Sequence, residues 1–512
     1  MVGGGGWHPL VTEQARGSRG SYSMRHMRIT AMPFLFASAV LLGGSCIRRP
    51  APVAGPNPVA QTSSAALTVL PFERHQSIEG FGASLAWYQD RLVPNPPPGI
   101  YQTLFPDLGL DILRLRNRYQ RMTKPEDGNL AQDVEIVQKA TQALGHRPKI
   151  MLSAWSPPAS LKANGKEDCA GDRDCTLAKE NGRFVYEKFA DFWRDSLVHY
   201  AQLGIVPDWV SIENEPSFIP PSWEGCKFEA SETSDYPGYD KALAAVHARL
   251  ASLPNPPKML GPEVLGIHNG LLQRYVKAMN VDLVDGIAHH LYEKGSDNIW
   301  DWKDPGPDSF LGVMQAAAQT TDKPLFQTEF QTDEDHGYLG GFETAWLIHN
   351  SLVEEGVAAF LYWDLIWGDG GGLVSMERKG PRPRDQYYSL RHYARYTDPG
   401  DVRVGTKCDK PEVRASAFLS PETDRLTLIA LNTGKVPVEV RVDFGGFAVS
   451  SSAVYRTVYL SMASAPAGRP SSPPSSETWT ALGELPASSI VPLPGRSIAT
   501  VVLHGRMPTQ HK

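Results

Sequence analysis

Between about residue 77 and residue 400, short apolar runs alternate with longer amphipathic ones. The runs at 77–82, 111–116, 148–154, 208–213, 258–262, 285–290, 324–330 and 358–363 have the length of strands. Between them, apolar positions recur three and four apart at 131–144, 184–203, 238–252, 270–279, 308–318, 341–355 and 385–396. That period belongs to helices burying one face, and Phe184-Val185-Tyr186-Glu187-Lys188-Phe189-Ala190-Asp191-Phe192-Trp193 shows it most clearly. Eight strands alternating with helices predict an α/β fold, a (β/α)8 TIM barrel over residues 77–399. A doubly wound sheet is the rival, but it rarely runs to eight such repeats without a glycine-rich first turn.

The period changes after about residue 400. Leu426-Thr427-Leu428-Ile429-Ala430-Leu431, Val438-Glu439-Val440-Arg441-Val442 and Ile498-Ala499-Thr500-Val501-Val502-Leu503 alternate or run apolar, separated by Gly, Asn and Pro. Residues 400–512 are therefore expected to form a small antiparallel β-sandwich. Residues 66–76 read as an N-terminal strand added to it.

The first 65 residues follow neither pattern. A basic stretch, Met24-Arg25-His26-Met27-Arg28, precedes an apolar run from Ala31 to Leu42. The run is too short to span a bilayer and suits an export signal, so 1–46 is read as a targeting segment. It ends in Leu42-Gly43-Gly44-Ser45-Cys46, which resembles a bacterial lipoprotein box with the leucine one place too far from the cysteine. Two outcomes stay open: lipid attachment to Cys46 at the outer membrane surface, or cleavage further along and secretion. Residues 47–65, with several prolines, read as a tether. Export allows disulfides, and Cys169 with Cys175, six apart in a polar loop, is the expected local pair. Cys226 and Cys408 are left either paired or free, and no cysteine spacing matches a zinc pattern.

The formal net charge of −6 predicts no broad electropositive face for nucleic acid. Trp (12), Tyr (18) and Phe (18) suit sugar-stacking surfaces, although any single aromatic is more readily read as core. The chemistry concentrates in two segments, Ser211-Ile212-Glu213-Asn214-Glu215-Pro216 and Phe326-Gln327-Thr328-Glu329-Phe330. Each puts a glutamate at the carboxyl end of a strand, the active face of such a barrel. Paired carboxylates there are what glycosidic bond cleavage needs: one protonates the leaving oxygen and one meets the sugar cation. Neighbouring residues of a strand face opposite sides, so His289-His290 are not expected to share a metal ion. No cofactor is expected.

Read in order, the chain resembles glycoside hydrolase family 30. The resemblance rests on Gly80-Phe81-Gly82-Ala83, Ile112-Leu113-Arg114-Leu115, Ser153-Ala154-Trp155-Ser156-Pro157-Pro158, Asn214-Glu215-Pro216, Ala288-His289-His290-Leu291-Tyr292, Thr328-Glu329-Phe330 and Tyr362-Trp363. It implies a retaining hydrolase with Glu329 as nucleophile and Glu215 as a general acid whose proton is held near neutral pH. Arg114 would be the counter-charge of Glu329, Asn214 a partner of the sugar 2-hydroxyl, and Tyr292 a donor to Glu329. Trp155 and Trp363 would floor the sugar subsite. The expected partner is an oligo- or polysaccharide bound by a monomer. The family includes xylanases, glucosylceramidases and β-1,6-glucanases. Its glucuronoxylan branch uses an arginine after strand eight, where this chain reads Asp364-Leu365-Ile366-Trp367-Gly368-Asp369-Gly370. Strict dependence on glucuronate is therefore not expected. The long loop 216–235 suits an open polymer cleft, and endo-β-1,4-xylanase action is the expectation. A carbohydrate-binding surface lipoprotein without catalysis is the reading from another class.

Overall fold

The computed structural model describes residues 62–120, 128–292, 306–331, 337–367, 372–377, 380–459 and 478–507. The expected targeting segment, Cys46 and most of the tether lie outside these residues, as does most of the Gly368–Gly372 loop. Among the described residues, no helix is long and apolar enough to cross a membrane.

Eight parallel strands close into a barrel: Gly80–Leu85, Ile112–Arg116, Lys149–Ser153, Trp209–Ser211, Lys258–Val264, Gly286–His290, Leu325–Glu329 and Ala359–Tyr362. They are called strands one to eight below. In strand two the two-residue period sorts the side chains. Leu113 and Leu115 pack outward into the large helix-facing core, while Ile112 joins Met151, Trp209, Leu260, Ala288, Phe326, Ala359 and Leu361 in a plug inside the barrel. Strands one and two approach so closely at Gly82 that a Cβ there would lie 2.1 Å from the Ile112 carbonyl oxygen, so only glycine fits.

The helices fall where the apolar period places them. Leu130–Leu144 opens on a capping box, in which the Asn129 side chain accepts from the Gln132 N–H and the Gln132 side chain from the Asn129 N–H. Tyr186–Gln202 buries Phe189, Phe192, Trp193, Leu197 and Tyr200. Most bounds shift by a few residues, and two of the shifts have a plain local reason. Strand four ends at Ser211 instead of 213, because the chain turns so that the Asn214 N–H reaches the Ala154 carbonyl at 2.6 Å. Strand one begins at Gly80 instead of 77, because Ser77 still belongs to the N-terminal strand Ser63–Ser77.

That strand pairs antiparallel with Val402–Cys408 and parallel with Val438–Asp443 in a sheet of nine strands. The sheet encloses its own core, from Ala65, Leu67 and Val69 to Val440, Leu493 and Val501. On the other face Phe418, Ile429, Leu431 and Ile498 join the barrel's core. His392, on helix Asp385–Ala394, bridges the two parts, with its ring nitrogens 2.9 Å from Thr500 Oγ1 and 2.8 Å from Thr457 Oγ1.

Candidate active site

The structure brings Glu215, Glu329, Asn214, Arg114, Tyr292, Trp155 and Trp363 to the carboxyl end of the barrel strands. One carboxylate oxygen of Glu215, one of Glu329 and a ring nitrogen of His290 all lie within 4.8 Å of one another. The two glutamates are 8% and 6% exposed, shielded from bulk water but open at the tip.

Irregular strand ends aim these groups inward. Along strand seven, Gln327 pairs with His289 and Glu329 with His290, so Thr328 is an extra residue. The bulge puts Glu329 on the lumen side, where unbroken alternation would turn it away. Strand five slips in the same way between Pro262 and Val264 and sets Glu263 inward at φ +57°. Glu215 is likewise held at φ +50°, its N–H donating to the Glu263 carbonyl at 3.1 Å.

Arg114 lies beneath the pair and is fully buried. Its Nη1 donates to Glu329 Oε2 at 2.7 Å and to Ser84 Oγ at 3.1 Å, and its Nη2 to Asn214 Oδ1 at 2.6 Å. Its Nε donates to Glu263 Oε1 at 3.0 Å and sits 3.3 Å from Ser153 Oγ. The guanidinium is thus spent on protein acceptors: Arg114 stands as the expected counter-charge to Glu329 and reaches a sugar only through the groups it holds. Asn214 gives its oxygen to Arg114, which leaves its amide N–H groups as what it can offer a hydroxyl.

His290, which the sequence marks as part of a motif and a poor metal ligand but gives no role, proves central. Its Nδ1 is 2.9 Å from Glu215 Oε1, and its Nε2 is 3.6 Å from Glu263 Oε1 and 3.9 Å from Glu329 Oε2. Burial alone would lower its pKa. The charge of Glu329 and the hydrogen bonds to Glu215 and Glu263 outweigh burial and raise it to about 9. At neutral pH the ring is an imidazolium that donates from Nδ1 to Glu215 and turns Nε2 toward Glu263 and Glu329 as a charge. His289 faces the other way, its Nε2 2.5 Å from Glu355 Oε1, as strand alternation requires. Glu215, His290 and Glu329 have metal-ligand spacing, and the hydrogen bond between His290 and Glu215 makes the same three groups a proton network.

Burial pushes Glu329 up; His290 and Arg114 pull it back, while Glu215 and Glu263 add to the rise. Glu263 is the reverse: despite burial, Arg114 and then His290 hold it down at about 2. The phenol of Tyr292 is pushed well up by burial and then by the charges of Glu329 and Glu215, so it stays neutral. Its ring meets the His290 ring edge-on at 6.0 Å.

Trp155 and Trp363 do not stand alone. They are 3% and 8% exposed and lie 5.8 Å apart within a group that also holds Trp87, Tyr88 and Trp367. Arg114 sits over Trp155 at 4.5 Å, and Arg116 over Trp87 at 4.5 Å. The half-open rings are Trp87, Tyr88 and Trp367, which the sequence did not single out, although Trp87 and Tyr88 follow strand one directly. Beside them, Arg116 grips both oxygens of Glu224 at 2.9 Å, tying strand two to the loop after strand four. The Cys169–Cys175 disulfide forms, and the Cys169 N–H donates to the Trp223 carbonyl of that same loop at 2.9 Å. Cys226 and Cys408 are unpaired, one in the barrel core and one in the sheet.

No protein-family model matches the chain. Among curated proteins it is 22% identical over 332 residues to "Putative glucosylceramidase 4" of Caenorhabditis elegans, covering 60% of this chain and 60% of that one. The chain thus spans about three fifths of that relative's length. Among solved structures it matches the catalytic domain of GH30 xylanase C from Talaromyces cellulolyticus, with TM-score 0.64, 18% identity, and coverage of 86% of this chain and 99% of that one. The endo-β-1,6-glucanase BT3312 matches with TM-score 0.59, 16% identity, and coverage of 86% and 94%. The barrel with its attached sheet is the fold seen in the catalytic domain of GH30 xylanase C.

Proposed function

We propose that the chain is a retaining β-glycoside hydrolase acting by double displacement, with plant cell-wall xylan as its substrate and endo-β-1,4 cleavage as its reaction. The observation that carries the mechanism is the approach of Glu215 and Glu329 to within 4.8 Å. Retention calls for carboxyls about 5–5.5 Å apart, whereas inversion needs about 6.5–9.5 Å to admit a water.

Glu329, steadied by Arg114, attacks the anomeric carbon while Glu215 protonates the departing oxygen. A charge count supports the exchange of roles between steps. Before reaction, Glu215, Glu329 and Glu263 face two cations, Arg114 and His290. Three carboxylates against two cations in a buried site favour one held proton, which the acid step uses. Once Glu329 carries the sugar its charge is gone, two carboxylates face two cations, and Glu215 can take a proton from the incoming water. Trp87, Tyr88 and Trp367 are suited to stack on sugar faces, and Trp155 and Trp363 back them.

Xylan is supported by the fold shared with the Talaromyces xylanase, and the absence of arginine in Asp364–Trp367 argues against a need for glucuronate. The likeness to a protein named as a glucosylceramidase, and to a β-1,6-glucanase, favours a second reading on those substrates. Purified protein incubated with xylan, pustulan and glucosylceramide separates them by the sugars released. Xylo-oligosaccharides are expected, and xylan left whole while another substrate is degraded overturns the xylanase reading. Export by the N-terminal segment, as a secreted or Cys46-lipidated protein, is part of the same proposal. Mass spectrometry of the mature N-terminus checks it.

A further inference from the structure

Glu263 forms and breaks no bond in the double displacement and enters it only through its charge, yet it touches both halves of the machinery. Its fully buried Oε1 lies 3.0 Å from Arg114 Nε, 2.9 Å from Arg114 Nη2, 3.4 Å from Ser153 Oγ and 3.6 Å from His290 Nε2. Its main-chain carbonyl holds the N–H of Glu215. The strand-five bulge and a left-handed φ are what turn it inward. A Cβ at the neighbouring Gly261 would lie 2.3 Å from Tyr239 Oη, so helix Tyr239–Leu250 packs tightly behind this bend.

We propose that Glu263 is a positioning residue for the hydrolysis, acting on Glu215 through His290 and on Glu329 through Arg114, and that its charge sets the pH at which the pair loses its working proton. The inference rests on the reading of Glu215 and Glu329 as acid and nucleophile. The groups around it are Arg114 from strand two, Ser153 from strand three, Ser211 from strand four, His290 from strand six and Tyr239 from the helix behind. Glu329, Tyr292 and Asp364 lie one contact further, and Glu213 bears on Tyr239. Burial keeps the phenols of Tyr239 and Tyr292 neutral and pushes the carboxyl of Asp364 well up. The charges in direct reach of Arg114 and His290 are the three carboxylates named above.

Glu263→Gln removes one negative charge while its amide oxygen still accepts from Arg114. With two carboxylates against two cations the site no longer favours the extra proton. The basic limb of kcat/KM on xylan is expected to move down by about one pH unit. His290, followed by NMR of its imidazole, is expected to titrate at lower pH than in the unmodified protein. Substrates with poor leaving groups lose more rate than activated aryl glycosides, a split that general loosening of the fold does not produce. A pH profile and a His290 titration that both overlay the wild type overturn the proposal. If Glu263→Gln fails to fold, Glu263→Asp, which keeps the charge but withdraws it, must give the same shift in smaller measure. A wild-type protein inactive on every glycan overturns the functional reading instead. The His290 titration needs no substrate and still decides whether Glu263 holds that charge.

Discussion

At the scale of residues, the site is a small set of charges whose positions matter more than their number. In the proposed mechanism Glu329→Gln keeps the shape of the nucleophile and removes its attack, so turnover is expected to vanish with the melting curve intact. Residual activity above a few per cent of wild type would point to another nucleophile. Glu215→Gln is expected to cost about 10²–10⁴-fold on natural substrates and much less on activated aryl glycosides. Equal loss on both would remove its role as acid. The two glutamates, Asn214 and Arg114 were legible because each stands at a strand end in an apolar frame. Glu263 was not, since ordinary alternation gives no sign of the bulge that turns it inward. His290 was hidden by a sound rule applied to the wrong question. That its neighbour faces away excludes a shared metal, but it also leaves His290 free to face the carboxylates.

At the scale of elements, all eight barrel strands and the helices after strand two could be placed from apolar spacing, to within a few residues, whereas the short helical stretch 100–107 between strands one and two was not. What escaped was the long-range tying of loops. Arg116 and Glu224 are 108 apart in sequence and meet as a buried pair beside Trp87. Nothing in either local sequence announces the other. Glu224→Ala leaves the Arg116 charge buried and uncompensated, for which a loss of about 3–5 kcal/mol in unfolding free energy is expected. Chemical denaturation measures it, and a loss under about 1 kcal/mol, typical of exposed pairs, would mean that water reaches the guanidinium. The aromatic group was half legible: Trp155 and Trp363 stand in recognisable motifs, whereas Trp87, Tyr88 and Trp367 gain meaning only once strands one and eight lie side by side.

At the scale of the whole molecule, the attached sheet is fastened to the barrel through a shared core and through His392. Burial first, and then Arg391, lower the pKa of His392 to about 3. The unfolded chain binds that proton near 6.5, so the contribution of His392 to stability is full above pH 6.5 and is lost as pH falls toward 3. Melting temperature should therefore drop more steeply below pH 6.5 in the wild type than in His392→Gln. Parallel curves would show that this joint does not sense acid. The single strand Ser63–Ser77, far in sequence from its partners, was legible as a member of the sheet; its parallel pairing with Val438–Asp443 was not, because register across such a distance leaves no local trace.

The central claim is that Glu215 and Glu329 share one anomeric centre at retaining distance. Proton NMR of the first sugar released from xylan tests it most directly, before the product mutarotates. Double displacement on a β-linked chain releases the β-anomer first. First appearance of the α-anomer would mean inversion, a water between the two carboxyls, and a different site from the one described.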